Sequence, residues 1–260
     1  MTGELTWGLL RKGAADNGFD VESGQVSVGD RLWLSFFSSR APLRVWMTCH
    51  GAAGPYLLAL SGGIDASMLG EVAGAGELPL PPGAVVGLWA TDLGLLHNLL
   101  RRAYQLSRSL PESPLQRFQH QTAGLPRTTE AERLVIARVG QETFREALLD
   151  YWDGRCAITG LDVPELLRAS HIRPWAHCDT DNKRLDVFNG LLLAPHLDAV
   201  FDKGFITISD EGQVIISETL GPAARQLLGL EKLPQLARVE PQHRHYLGWH
   251  RQRVFRRDAV

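Results

Sequence analysis

Cysteine is scarce in this chain. Cys49, Cys156 and Cys178 are the only three in 260 residues, far apart and odd in number. That argues against a disulfide framework and fits a reducing compartment, the cytoplasm. Long apolar runs are missing too. None approaches the roughly 18–20 residues that span a bilayer, so no membrane partner is expected. The opening MTGELTWGLLRKGAADNGFD has no basic start, long apolar core or small-residue cleavage site, which speaks against a secretory signal. An excess of one charge is also absent. The net charge of -2 neither favours nor excludes a nucleic-acid partner. No repeat or low-complexity block is present. What remains is an ordinary globular composition, 44% hydrophobic and 22% charged, in a chain long enough for two modest domains or one large one.

The charge that is present is unevenly placed. Between Arg238 and Val260 six arginines face only Glu240 and Asp258, with His243, His245 and His250 in addition. A basic end on a near-neutral chain suits phosphate contact, and it equally suits a solvated helix face.

The first part of the chain reads as mixed and strand-rich. RLWLSFF (31–37) and LRVWMTC (43–49) flank a turn and predict a hairpin; PYLLALS (55–61) and AVVGLWA (84–90) predict further strands. LGLLHNLLRRAYQLSRSL (93–110) has the spacing of an amphipathic helix. The polar, proline-containing stretch 111–127 reads as a linker between a domain at 1–110 and another at 128–260. The second domain opens with a helix over 128–152, capped by Thr128 or Thr129 with Glu130 or Glu132 in its first turn, and bent or divided at Gly140. Short strands and turns follow, then a basic helix over 241–257 whose Tyr246, Leu247, Trp249 and Val254 would dock on the domain.

The chemistry concentrates in that second domain. Hydrolysis of a phosphodiester needs an activated water, for which a neutral imidazole is suited, and a cation to meet the charge that builds on phosphate and leaving oxygen. Hard cations prefer carboxylate oxygens. His171 lies in LLRASHI, which can form one strand, and DVFNGLLLA (186–194) can form the return, with Asn189-Gly190 in the bend. PHLDAVFD (195–202) starts with the proline favoured at a first helical position. On that helix Asp198 and Asp202 are four apart and share a face. Strand, strand and helix would present one imidazole and two carboxylates together, with Asn189 tying the loop.

These segments, from about Gln141 to Phe255, resemble the HNH nuclease family and its ββα-metal fold. The similarity runs through GQETFREALLDYWDGRCAITG, LLRASHIRPWAH, LDVFNGLLLAPHLDAVFDKGFI and YLGWHRQRVF, and looks like the branch found in restriction and other defence endonucleases. The resemblance implies an α+β chain: a C-terminal ββα-metal domain with flanking helices behind a strand-rich mixed N-terminal domain. It implies His171 as general base and Asn189 as the family's asparagine. Asp198 stands where the family's second histidine usually stands, and so becomes the main metal ligand. His196 is an alternative ligand. Asp202 matches a position that binds metal in some relatives, although in FDKG it can equally cap a turn. Ser170 occupies the place where many relatives have an Asp or His ligand. The implied cofactor is Mg²⁺ or Mn²⁺, with water and phosphate completing the shell. The paired Cys-x-x-Cys motifs that hold structural zinc in many HNH domains are absent, and Cys156, Cys178 and His177 have poor zinc spacing.

Arg173, Arg184 and Lys203 flank the site and are candidates to touch DNA phosphates, against the plainer reading of surface cations or ion pairs. In the N-terminal domain, Trp33, Phe36, Phe37 and Trp46 form either a base-binding pocket or a buried hairpin face. The expectation is a cytoplasmic, metal-dependent DNA endonuclease with an N-terminal target reader, acting alone or as a homodimer. The alternatives are a DNA-binding protein with an inactive HNH domain, and a toxin or interaction module.

Overall fold

A computed structural model describes residues 2–51, 54–70, 74–76, 78–126 and 128–257. The last residue of the expected linker, 127, and the chain's last three residues lie outside this set. The chain divides into two compact units, Met1–Arg108 and Ser109–Val260. Among the described residues no helix is long and apolar enough to cross a membrane.

The first unit opens with helix α1 (Thr2–Asp16), followed by strands β1 (Val21–Val28), β2 (Arg31–Phe37), β3 (Arg44–Cys49), β4 (Tyr56–Leu60) and β5 (Val86–Ala90). They pair antiparallel in simple sequence order. Register explains the burial. Leu34, Met47, Leu58 and Leu88 lie opposite one another across four strands and all are buried. On the other face Trp33, Trp46, Leu57 and Ala59 form a cluster with Ala75 and the half-buried Leu78 and Leu80 of the Pro-rich connection. With successive side chains pointing to opposite faces, a strand buried at all five positions, as β4 is, must be covered on both sides. Helix α2 (Leu93–Ser109) buries Leu96, Leu99, Leu100, Ala103 and Leu106. Trp33, Phe36 and Trp46 are therefore core residues, and Phe37 is half-buried. The buried hairpin face holds, and the base-binding pocket built from these aromatics does not.

The second unit begins at Ser109, two residues ahead of the expected linker, and takes that stretch in. Residues Glu112–Thr122 form helix α3, which buries Phe118 and packs on the next helix. Its apolar positions, Leu115 and Phe118, are too few to stand out from the surrounding polar residues. Helix α4 (Glu130–Tyr151) starts at Thr129, whose hydroxyl accepts from the Glu132 amide while the Glu132 side chain accepts from the Thr129 amide, a capping box. It runs unbroken through Gly140. The glycine is required by packing, since a Cβ there would meet the Trp175 ring at 2.5 Å. Strand β6 (Arg168–His171), helix α5 (Asp181–Leu185), strand β7 (Gly190–Leu193) and helix α6 (Pro195–Asp202) follow. Strands β8 (Ile206–Ile208) and β9 (Val214–Ile216) make a small second hairpin, and helices α7 (Pro222–Leu227) and α8 (Pro241–Arg253) complete the unit.

Candidate active site

Two strands and a helix hold the site. β6 and β7 pair antiparallel, with Ser170 opposite Leu191 and His171 opposite Gly190. All four residues of β7 are buried, so this strand is the inner one. α6 begins at Pro195 in the first helical position and packs on β6. A cavity of about 440 Å³ opens beside them, lined among others by Arg168, Ser170, His171, Asp198, Asp202 and Lys203. The imidazole and both carboxylates expected from the sequence are brought to one place.

The setting of His171 fixes its chemistry. Its ring stacks on Phe144 of α4, with centroids 3.8 Å apart and planes inclined by 14°. Its Nε2 lies 2.9 Å from the Arg184 carbonyl oxygen. A carbonyl only accepts, so Nε2 carries the hydrogen and Nδ1 keeps its lone pair. Burial lowers the imidazole pKa to about 4, so the ring is neutral at pH 7. A neutral imidazole in a fixed tautomer, at the wall of a cavity, is competent to take a proton from water.

Asn189 sits behind this arrangement and is fully buried. Its Oδ1 accepts from the Arg173 amide at 2.8 Å, and its Nδ2 donates to the Arg173 carbonyl at 3.1 Å and the Lys183 carbonyl at 2.9 Å. Its own backbone carbonyl accepts from the Ile172 amide. Every one of these bonds ties the 172–189 excursion shut, directly behind His171. The residue is not part of the cavity wall, and it braces the loop that follows His171.

Asp198 and Asp202, one turn apart on α6, both line the cavity. Burial and then the neighbouring Asp198 carboxylate push the Asp202 carboxyl above its ordinary range. Two like charges held against one cavity are a place that a cation stabilises. The buried Ser170 hydroxyl donates to Asp202 Oδ1 at 3.3 Å, so Ser170 supports that carboxylate. The FDKG turn is closed by the Gly204 amide donating to the Phe201 carbonyl, and the Asp202 side chain is directed to Ser170. Among the described residues, no three His, Cys, Asp or Glu side chains gather into a ready-made metal cage. The donor set fits a hard divalent cation that keeps part of its water shell, as Mg²⁺ does.

The remaining expectations separate. His196 is exposed on the first turn of α6 and does not line the cavity. Lys203 does line it. Arg173 does not; its guanidinium lies 5.5 Å from the Trp249 ring centre. Arg184 is engaged in structure, pairing with Asp181 at 2.8 Å and donating to the Cys178 carbonyl at 2.6 Å. Cys156 and Cys178 are buried, each with its own partners. Cys178 Sγ meets Asn189 Nδ2 at 3.4 Å, and Cys156 Sγ accepts from the Ala194 amide at 3.3 Å. His177 is exposed and lies against Trp249. The sequence reading missed Arg168, which lines the cavity. The available signal was the two-residue alternation of LLRASHI, which puts residue 168 on the same strand face as Ser170. It also missed His250, which is buried at the cavity wall between Thr207 and the Phe201 carbonyl.

Residues 156–209 match the profile of a family described as HNH endonuclease. This stretch is an HNH endonuclease domain. All the site residues expected from the sequence fall within it, while α4 and α8, which supply Phe144 and the docking helix, lie outside. No curated protein matches the chain. Among solved structures the chain is similar to a modification-dependent TagI restriction endonuclease, at 23% identity over 42% of this chain and 36% of that one, with a TM-score of 0.30. The chain thus spans little more than a third of that protein's length. The HNH domain lies in the C-terminal half of a mixed α+β chain, behind a strand-rich N-terminal region.

Proposed function

We propose that this chain is a metal-dependent endonuclease that hydrolyses DNA phosphodiester bonds, of the restriction or defence kind, working in the cytoplasm. The observation that carries the reading is the convergence of a neutral, tautomerically fixed His171 with Asp198 and Asp202 on one cavity inside the HNH domain. His171 Nδ1 takes the proton from the attacking water. Asn189 and the Arg184 carbonyl keep the ring aimed, and Phe144 fixes its plane. Asp198 and Asp202 would hold Mg²⁺ or Mn²⁺, with Ser170 bracing Asp202. That ion supplies Lewis acidity to the phosphate and the leaving oxygen. Lys203 offers a cation at the same rim.

An HNH domain that meets mostly backbone carries little sequence information of its own. The N-terminal unit is therefore the reader of the target, including a modified base as one class of target. The restriction or defence assignment rests on the resemblance of the segments around His171 and Asn189.

The test is one panel of plasmid and oligonucleotide substrates. Unmodified, methylated and hydroxymethylated duplexes, single strands and RNA are incubated with Mg²⁺, Mn²⁺ or chelator, using wild type and His171→Ala side by side. Metal-dependent DNA cleavage that vanishes in the variant is the expected result. Cleavage confined to modified duplexes assigns the reader. That no closed ligand cage forms among the described residues favours one second reading, a DNA-binding protein whose HNH domain does not cut. Duplex binding with no cleavage under any metal would establish it.

A further inference from the structure

We infer that Arg168 forms a phosphate subsite of the HNH cavity and grips the DNA backbone beside the scissile bond. This rests on the nuclease reading above and names a contact which that reading leaves open.

The argument starts from charge. Asp198 and Asp202 line the cavity, and so does Lys203, the residue at which α6 ends. An approaching phosphodiester meets a negative field unless cations stand at the rim. Of the three cations expected from the sequence, only Lys203 lines the cavity; Arg184 is spent on Asp181 and the Cys178 carbonyl, and Arg173 lies against Trp249 off the cavity wall. Arg256, from the basic end, donates to the Lys203 carbonyl and caps the protein's own chain. Arg251 is bound to Asp210 and the Ile208 carbonyl.

Arg168 differs from these four arginines and shares the cavity rim with Lys203. It is exposed, it lines the cavity, and no hydrogen bond or ion pair within the described residues engages its guanidinium. Its place on β6 sets its reach. Residues 168 and 170 project from the same face of the strand, about 6.6 Å apart at 3.3 Å per residue. Ser170 on that face holds Asp202. Arg168 is thus one strand step away from the carboxylates, at the edge of the same cavity. Among the described residues no ion pair ties it to Asp202, which leaves the guanidinium for a phosphate at that edge. An unengaged guanidinium fork matches two phosphate oxygens in a way a carboxylate-spent arginine cannot.

The test separates this contact from the nuclease reading. Binding of a fluorescent duplex is measured in the His171→Ala background across a salt series, with and without Arg168→Gln or Arg168→Lys. Nicking is measured in the corresponding proteins with His171 intact. The expected result is about tenfold weaker binding for Arg168→Gln at moderate salt. The plot of log affinity against log salt should also become shallower by about 0.9, the signature of one lost phosphate contact. Arg168→Lys should restore the slope and part of the affinity, and thermal melting of all variants should match wild type because the side chain is exposed. An unchanged slope, or weaker binding that comes with a lowered melting point and is not rescued by lysine, overturns the subsite. If wild type binds the duplex but never nicks, the nuclease reading fails and the slope alone still decides Arg168.

Discussion

A base that has taken a proton must be able to hold it briefly and give it up. His171, neutral with its pKa near 4, sheds protons readily and stays unprotonated where an ordinary histidine would titrate. Single-turnover cleavage should therefore show no loss between pH 8 and pH 6 attributable to the base. A rate that halves near pH 6.5 contradicts the buried setting. His171→Ala should lower the rate by about 10²- to 10⁴-fold, the usual worth of a positioned general base. Asp198 and Asn189 make a contrasting pair. Asp198→Asn removes a like charge from beside Asp202, so thermal stability at neutral pH should hold or rise while metal-dependent cleavage falls. Asn189→Ala orphans the Arg173 amide and two carbonyls in a buried loop, and should cost about 2–4 kcal/mol, read as a lower denaturant midpoint together with lost cleavage. Equal stability of the two variants would sink the division of labour between ligand and clamp. At this scale the sequence was informative where residue type and spacing dictate geometry. Asp198 and Asp202 share a face because a helix has 3.6 residues per turn, and the 195–202 helix follows from Pro195. Cations were harder to place. Arg173, Arg184 and Arg168 are alike as letters, and only tertiary contacts decide which is spent on the Cys178 carbonyl and which faces the cavity.

Among elements, the hairpin and the helix behind it must fit without a spare atom. Gly190, opposite His171, has no room for a side chain: a Cβ there would lie 2.5 Å from Phe144 and 2.7 Å from Leu148. Gly190→Ala should push β7 from α4 and cost about 1–3 kcal/mol, the range for overpacking. Because Phe144 also stacks on His171, the cleavage rate should fall more than substrate affinity. Loss of affinity alone would show that the stack does not position the base. The same logic explains what was legible. Strands such as RLWLSFF, coinciding with β2, announce themselves by leucines and aromatic residues between turn signals. Propensity alone suggests that Gly140 bends or divides the helix, whereas α4 runs unbroken through it with Trp175 packed too close for a side chain. Helix α3 was read as linker because its surface is polar and its buried residues few. The helix at Thr2–Asp16 and strand at Val21–Val28 stay hidden for a related reason: the strand's exposed glycine, serine and glutamine residues hide the alternation.

Across the molecule, the feature with measurable reach is a set of histidines held neutral inside the second unit. His171 and His250 are lowered to about 4 and His243 to about 3, each chiefly by burial. His250 is satisfied on both sides, with Nε2–H donating to the Phe201 carbonyl at 3.1 Å and Nδ1 accepting from the Thr207 hydroxyl at 2.9 Å. The unfolded chain binds protons at these positions near pH 6.5, and the folded protein does so only near 4 or below. Their stabilising contribution is therefore complete above pH 6.5 and is lost as pH falls toward 4. Between pH 6 and 5 the three together should withdraw on the order of 3 kcal/mol. Carboxylates held low, such as Glu132 at its cap, titrate below this window, while Asp186 and Asp202, held high, oppose the trend. Urea unfolding of wild type against His250→Gln isolates the histidine share. The variant can keep a hydrogen bond but cannot titrate, so its stability should fall by about 1 kcal/mol less than wild type over that pH unit. Parallel pH curves would mean that the imidazole of residue 250 is charged or exposed in solution, and the packing of α8 against Phe201 would then have to be redrawn.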